Sequence, residues 1–408
     1  VKVDDDMRCT APTKATAGHR HRSLLATVTA FLSLTFVGAA FSPTAAAAPA
    51  RPDDTSAVGT TSAVVPDGVT AGVAVFDRQT GTFTEQLNAS TQFRSASIVK
   101  LLMALDYFRN RGPDYIVPAA DRAWLEPMLR SSDDDAANYY WANHGYSSIV
   151  TRMDGDLGLS DTEPPADPNF WGYTAISARD TVTIYRYILE KAPAPVRNFI
   201  MDNLRQSTRC ASDKFDQHFG IAGAFNRPWA VKQGWSGDSY PEGTCGPTSA
   251  VSARTAAGAG SAAADVNLTR PALHSTGTVG AGDRSIVAVY TLHPVGTSYG
   301  KAFTDIGRLT RSLNVPGGVA PSGKWYGTWS SQVNVRSEPR IANNVLTRLP
   351  AGVEVLVGCQ KKGQSVSVPP YTNDWWAYLP QYGGYISNIY ISHPANQLPD
   401  VPLCSSPR

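Results

Sequence analysis

The chain has 408 residues, with 36 lysines and arginines against 34 aspartates and glutamates, a formal net charge of +2. That near-balance excludes the strongly basic face of a nucleic-acid binder. The length is enough for two domains and a large buried core, and the abundant Gly, Pro, Trp and Tyr fit a soluble protein rich in strands and loops.

Residues 1–50 read as an address rather than a fold. His19, Arg20, His21 and Arg22 form a positive start, "LLATVTAFLSLTFVGAAF" an apolar run, and "SPTAAAAPA" offers Ala-x-Ala cleavage around Ala48 to Ala50. The run is nearly long enough to span a membrane, but the small residues after it favour cleavage, with no stable membrane insertion afterwards. The expected product is secreted. Cys9 leaves with the leader, so Cys210, Cys245, Cys359 and Cys404 remain in an oxidising compartment. Four cysteines allow three pairings. Proximity favours Cys210–Cys245 and Cys359–Cys404. Neither pair has zinc-like spacing and no His-rich cluster accompanies them, so no metal is expected. Gly-rich stretches such as "AAGAGSAAAD" lack a following Lys-Ser/Thr, and no cofactor is expected.

Past a disordered-looking segment, residues 51–65, the first domain is expected over residues 66–314. It opens with the alternating strand "VTAGVAVFDRQTG" and a hairpin partner around "TFTEQLNAS". Helical periodicity follows through "KLLMALDYFRN", "AWLEPMLR", "DAANYYWANHG", "SSIVTRMDGDLG" and "ARDTVTIYRYILEKA". Strand patterns return at "PWAVKQGW", "PALHSTGTVG" and "RSIVAVYTLHP", and "GKAFTDIGRLTRSLN" closes as a helix. Strands, helices, then strands predict an α+β fold, an antiparallel sheet with a helical lobe inserted in it. "VPGGVAPSG", residues 315–323, has the chemistry of a flexible linker. Short strands and turns over residues 324–393 predict a small all-β barrel, and residues 394–408 a C-terminal tail.

Three short motifs carry chemistry. In "RSASIVKLLMALDYF" Ser97 and Lys100 are three apart, so on a helix they share a face. If Ser97 opens the helix, its N–H points where negative charge is stabilised, and a desolvated lysine can act as its base. Ser298 and Lys301 repeat the spacing, which shows how little it proves alone. In "RSSDDDAAN" Ser132 supplies a second hydroxyl, and in "VKQG" Lys232 sits on a strand beside Gly234, which would let a ligand approach. Taken singly, each has a plain structural account: an N-cap serine, an acidic helix start, a solvent-facing lysine.

In this order and at these separations the motifs resemble those of the penicillin-recognising serine hydrolases, the class A β-lactamases and related DD-peptidases. The resemblance runs over roughly residues 60–314 and implies a five-stranded antiparallel sheet with a helical lobe and the site between them. It implies Ser97 as acylated nucleophile, Lys100 as its base, Ser132 as proton relay and Lys232 facing the substrate carboxylate. The backbone N–H groups of Ser97 and Trp235 would form the oxyanion hole. The pattern departs from the family in two places. Asp134 stands where an Asn is usual, and a carboxylate beside Lys100 would favour its ammonium form and weaken it as a base. Gln233 replaces a Thr or Ser, with an amide still able to donate to a carboxylate. "LSDTEPP" loosely resembles the loop carrying the deacylating glutamate, which makes Glu163 a candidate.

The C-terminal run "VNVRSEPRIANNVLTRLPAGVEVLVGC" with "DWWAYLP" and "GGYISNIYI" resembles a bacterial Src-homology-3 domain, implying a module that binds cell-wall peptides or peptidoglycan. Trp375, Tyr382 and Tyr385 would be its contacts. The expected protein is a serine hydrolase acylated by a β-lactam or a D-alanyl peptide. The competing expectation is a catalytically impaired relative that only binds cell wall.

Overall fold

In strand β1 (Thr70–Asp77) alternation sends Ala74 and Phe76 to one face and Ala71, Val73 and Val75 to the other, all of them buried. A strand apolar on both faces needs a covering layer on each. The computed structural model describes residues 62–236, 245 and 270–405. The leader expected over residues 1–50 with Cys9, residues 51–61 of the next segment, the "AAGAGSAAAD" stretch and residues 406–408 of the tail lie outside the described residues.

Strand β2 (Thr82–Leu87) forms a hairpin with β1. After β3 (Phe93–Arg94) a 3₁₀ turn, Ala96–Val99, leads into α1 (Lys100–Arg109). Helices α2 (Ala119–Arg130), α3 (Asp134–Asn143) and α4 (Ser148–Leu157) follow, and β4 (Ala175–Ile176) pairs back with β3. Helix α5 (Ala178–Arg186) continues into a π-helical turn, Tyr187–Lys191, and then come α6 (Ala194–Arg205) and the short α7 (Ile221–Ala224). Strands β5 (Trp229–Ser236), β6 (Ala272–Val279) and β7 (Ser285–Leu292) complete the sheet before α8 (Tyr299–Ser312). The order is β2-β1-β7-β6-β5, antiparallel throughout, so β5 is an edge. This is the mixed sheet-and-helix arrangement that the element order predicts. Helix α6 was not expected. Its prolines obscure a helical pattern that is present, with Val196, Ile200, Met201 and Leu204 buried on one face.

The helical lobe packs on the sheet face that carries Ala74, Phe76, Ala230, Ile286, Ala288 and Tyr290. The other face, with Val73, Val231, Leu273 and Val287, packs against Phe303, Ile306 and Leu309 of α8. The same apolar cluster runs on into the C-terminal strands through Val333, Val335, Val353, Val355 and Leu379.

Those strands are β8 (Lys324–Gly327), β9 (Val333–Arg336), β10 (Val345–Leu349), β11 (Glu354–Val357), β12 (Cys359–Val368), β13 (Tyr371–Leu379) and β14 (Gly384–Ser387). They form a five-stranded sheet, β10-β9-β14-β13-β12, and a β11-β8 pair. Gly300 shows how closely they dock on α8. A Cβ there would lie 2.1 Å from the Ala351 carbonyl oxygen, a contact only glycine permits. Glu354 receives Arg308 and Arg311 from the same helix. Residues 315–323 form no helix or strand, yet they are tied down rather than free. Ser285 Oγ donates to the Pro316 carbonyl at 2.7 Å and the Asn226 N–H to the Val319 carbonyl at 2.8 Å. Disulfides join Cys210 to Cys245 and Cys359 to Cys404, the pairing that proximity favours. Among the described residues no helix is long and apolar enough to cross a membrane.

Candidate active site

The turn before α1 places Ser97. Ser95 is held by its N–H to the Thr174 carbonyl, and Ala96 takes a left-handed φ of +44° that swings the chain into the 3₁₀ turn. Ser97 makes no capping bond, and only 6% of it is exposed. The second Ser-x-x-Lys pair behaves differently: the Ser298 hydroxyl caps α8 at the Lys301 N–H, and Lys301 pairs with Asp305. The same spacing is a helix cap in one place and a buried turn in the other.

Lys100, fully buried, reaches across to the loop between α2 and α3. Its Nζ donates to the Ser132 carbonyl at 2.7 Å, to Ser132 Oγ at 3.4 Å and to Asp134 Oδ1 at 2.6 Å, and lies 4.8 Å from the centre of the Trp171 ring. Trp171 is set by an N–H bond to Asn138 Oδ1 at 2.8 Å. Lys232, also buried, sits 2.7 Å from Ser132 Oγ and donates to the Gln233 carbonyl at 3.2 Å. Ser132 itself has φ +55°, which a non-glycine residue adopts at a cost of about 1–3 kcal/mol. That conformation lets one residue offer its carbonyl to Lys100 and its hydroxyl to both lysines. Asp133 is the N-cap of α3, accepting from the Ala136 N–H at 2.9 Å, which leaves Asp134 for Lys100.

Burial, followed by the neighbouring charge of Lys100, pushes the Lys232 amine well below the ordinary lysine range, while Asp134 and Asp213 act in the opposite sense.

Two expectations for "VKQG" are corrected by strand alternation. Lys232 and Gly234 share the face toward Ser97, whereas Gln233 points to the other side. There its amide donates to the carbonyls of Gln217 at 2.9 Å and Phe219 at 2.7 Å. The amide is thereby spent on backbone rather than offered to a substrate carboxylate. Gly234 admits the chain's own turn rather than a ligand, since a Cβ there would lie 2.9 Å from the Ser95 carbonyl oxygen and 3.3 Å from the Ala96 Cβ. Trp235 follows Gln233 to the far face, stacking on Phe215 at 4.8 Å and donating its indole N–H to Asp213 at 3.3 Å.

Glu163 is not brought to the lysines by its contacts. It is exposed and joins the structure through backbone bonds to Ala175, and the carboxylate on Lys100 is that of Asp134. In the C-terminal strands Tyr382 lies beneath Arg209, 3.9 Å from the guanidinium, so it is an internal contact; Trp375 and Tyr385 remain half-buried at the surface. Trp171, Asp213 and Gln217 were missed. They lie on segments without periodicity, where sequence offers no signal for which side chain turns inward.

No family model matches the sequence. Over 174 residues, 41% of this chain, it is 37% identical to the "Putative lipoprotein LppW" of Mycobacterium tuberculosis (strain ATCC 25618 / H37Rv) and to its namesake in Mycobacterium bovis. The chain spans about half the length (54%) of these curated relatives. Among solved structures it is similar to PBP-A, at 16% identity and a TM-score of 0.42, covering 60% of this chain and 89% of that one. It is similar to an ancestral class A β-lactamase at 18% and 0.41, covering 60% and 93%. A class A β-lactamase from Mycobacterium abscessus gives 16% and 0.42, covering 60% and 92%.

Proposed function

We propose that the chain is a serine hydrolase working through an acyl-enzyme, with Ser97 as nucleophile and a β-lactam or D-alanyl cell-wall peptide as acyl donor. One observation carries the reading: two buried lysines converge on the Ser132 hydroxyl, and one of them, Lys100, follows a buried serine, Ser97, by three residues. Burying two amines around one hydroxyl is costly and serves no packing need, which is the mark of a chemical site.

In this mechanism Lys232 is the base and acts through Ser132, while Lys100, ion-paired with Asp134, supplies fixed positive charge. Ser97 Oγ attacks the carbonyl carbon, and its proton passes through Ser132 to Lys232. The oxyanion is received by the backbone N–H groups of Ser97 and Trp235. As the C–N bond breaks, the proton returns through Ser132 to the leaving nitrogen. Water then cleaves the ester, releasing the acid and restoring Ser97. Gln233 has no role in substrate binding. Glu163 has none in deacylation, so Glu163→Gln is expected to leave acylation and deacylation rates within about twofold of wild type, as stopped-flow kinetics would read.

Export is part of the reading, supported by the leader pattern, the two disulfides and the relatives' description as lipoproteins. The strands over residues 324–393 are taken as a Src-homology-3-like module that holds peptidoglycan through Trp375 and Tyr385, with residues 66–314 as the hydrolase. The Lys100–Asp134 pair and the averted Gln233 favour one second reading, a cell-wall binding protein without turnover. Intact-mass analysis after exposure to a fluorescent penicillin and to a fluorophosphonate separates the two. The expected result is a single adduct on wild type and none on Ser97→Ala. A folded wild type that takes neither label leaves only the binding reading.

A further inference from the structure

The segment 207–219 lies between the two halves of the site and is bonded to both. On one side it grips the end of α2, immediately before Ser132. The Thr208 N–H donates to the Arg130 carbonyl at 3.1 Å, the Ser212 N–H to the Ser131 carbonyl at 2.8 Å, and Gln217 Nε2 to the Arg130 carbonyl at 2.9 Å. On the other side it grips β5 around Lys232, through Gln233 on the Gln217 and Phe219 carbonyls and Trp235 on Asp213 and Phe215. The 2.7 Å approach of Lys232 to Ser132 therefore spans a bracket whose two ends are the neighbours of those residues.

The bracket is held in turn by the C-terminal strands. Arg209 pairs with Asp216 across the bracket, with Nη2 at 2.8 Å. It also donates from Nη1 to the Gln381 carbonyl at 2.6 Å and lies over the Tyr382 ring, 3.9 Å from its centre. Gln381 Nε2 answers by donating to the Gly223 carbonyl at 2.7 Å. Tyr299 of α8 closes the set with a hydroxyl bond to the Asp216 carbonyl at 2.6 Å. One guanidinium thus meets a carboxylate, a carbonyl and an aromatic face at once, a combination a lysine cannot reproduce.

We infer that Arg209 is a positioning residue and the turn at Gln381–Tyr382 an integral support of the hydrolytic site, setting the Ser132–Lys232 distance through segment 207–219. The inference rests on the proposed hydrolase reading for its kinetic consequence, but its structural content can be tested without turnover.

The experiment compares full-length wild type, Arg209→Lys, Tyr382→Ala and the double variant, using two readouts. Acylation by a fluorescent penicillin is expected to slow about 10- to 100-fold in each single variant with the concentration for half-maximal rate little changed. The double variant should be no slower than the worse single, because both changes cut one chain of contacts. Amide exchange should quicken in the peptides covering residues 130–137 and 207–219 and stay at wild-type rates in β1 and β7. Wild-type exchange in those two peptides in both single variants would overturn the inference. So would exchange raised equally throughout the protein, which would mark Arg209 as a merely structural contact. If wild type is never acylated, the hydrolase reading fails by itself, and the exchange pattern still decides whether the C-terminal turn controls the bracket.

Discussion

Lys232→Met is expected to slow acylation of Ser97 by about 10²- to 10⁴-fold while leaving a folded protein. The methionine keeps the stem's volume and removes the amine that lies 2.7 Å from Ser132 Oγ, nearer than the 3.4 Å of Lys100. In wild type the rate should fall on the acid side as the amine is protonated, with the limb well below the ordinary lysine value of 10.5. Stability gives a second readout with a definite sign. Because the folded-state pKa of Lys232 is depressed, the unfolded chain binds its proton more tightly. The contribution of this group is fully present above 10.5 and is lost as pH falls through the folded value. At neutral pH Lys232→Met is therefore expected to melt at the wild-type temperature or above it in thermal scans, while its labelling is slowed. A variant that labels at the wild-type rate would remove Lys232 from the mechanism.

Asp134→Asn should act in two ways at once. It takes the carboxylate from a pair in which Lys100 is fully buried and the Asp134 side chain is 24% exposed. Removing one partner of a buried pair costs about 3–5 kcal/mol, and this partly open one falls at or below the lower end of that range, about 2–3 kcal/mol. The fall in melting temperature should be clear. The carboxylate also raises the pKa of Lys232, so its removal should move the acid limb of the acylation profile to lower pH. A less stable protein with a more acid-tolerant rate is a pairing that general damage to the fold does not produce. An unmoved limb would mean that Lys232 is not the titrating base.

Ser97, Lys100, Ser132 and Lys232 stand out as candidates through the order of their motifs and the family resemblance, since local geometry alone gives each a plain structural account. Three residues make a helical turn, an Asp starts a helix, and an apolar run makes an edge strand. The same strand geometry explains the failure at Gln233: with a period of two, its neighbour Lys232 and it cannot share a face. The expectation that Gly234 admits a ligand fails because sequence does not show that the turn at Ser95 and Ala96 fills that space. Asp134 was read correctly as a neighbour of Lys100. Trp171, Asp213, Arg209 and Gln217 stand on loops whose course is decided by long-range contacts, such as Arg209 with Gln381 and Gln217 with Arg130. The main sheet followed from alternation, whereas the docking of the C-terminal strands on α8 depends on Gly300 and Glu354 meeting partners some fifty residues away.

The central claim is that Ser97 forms the covalent bond, and mapping the adduct on wild type tests it most directly. After brief exposure to a penicillin and proteolysis, mass spectrometry should find the acyl group on the peptide containing "SASIVK", with fragment ions placing it at Ser97. An adduct on Ser132, or on any peptide without Ser97, would contradict the account.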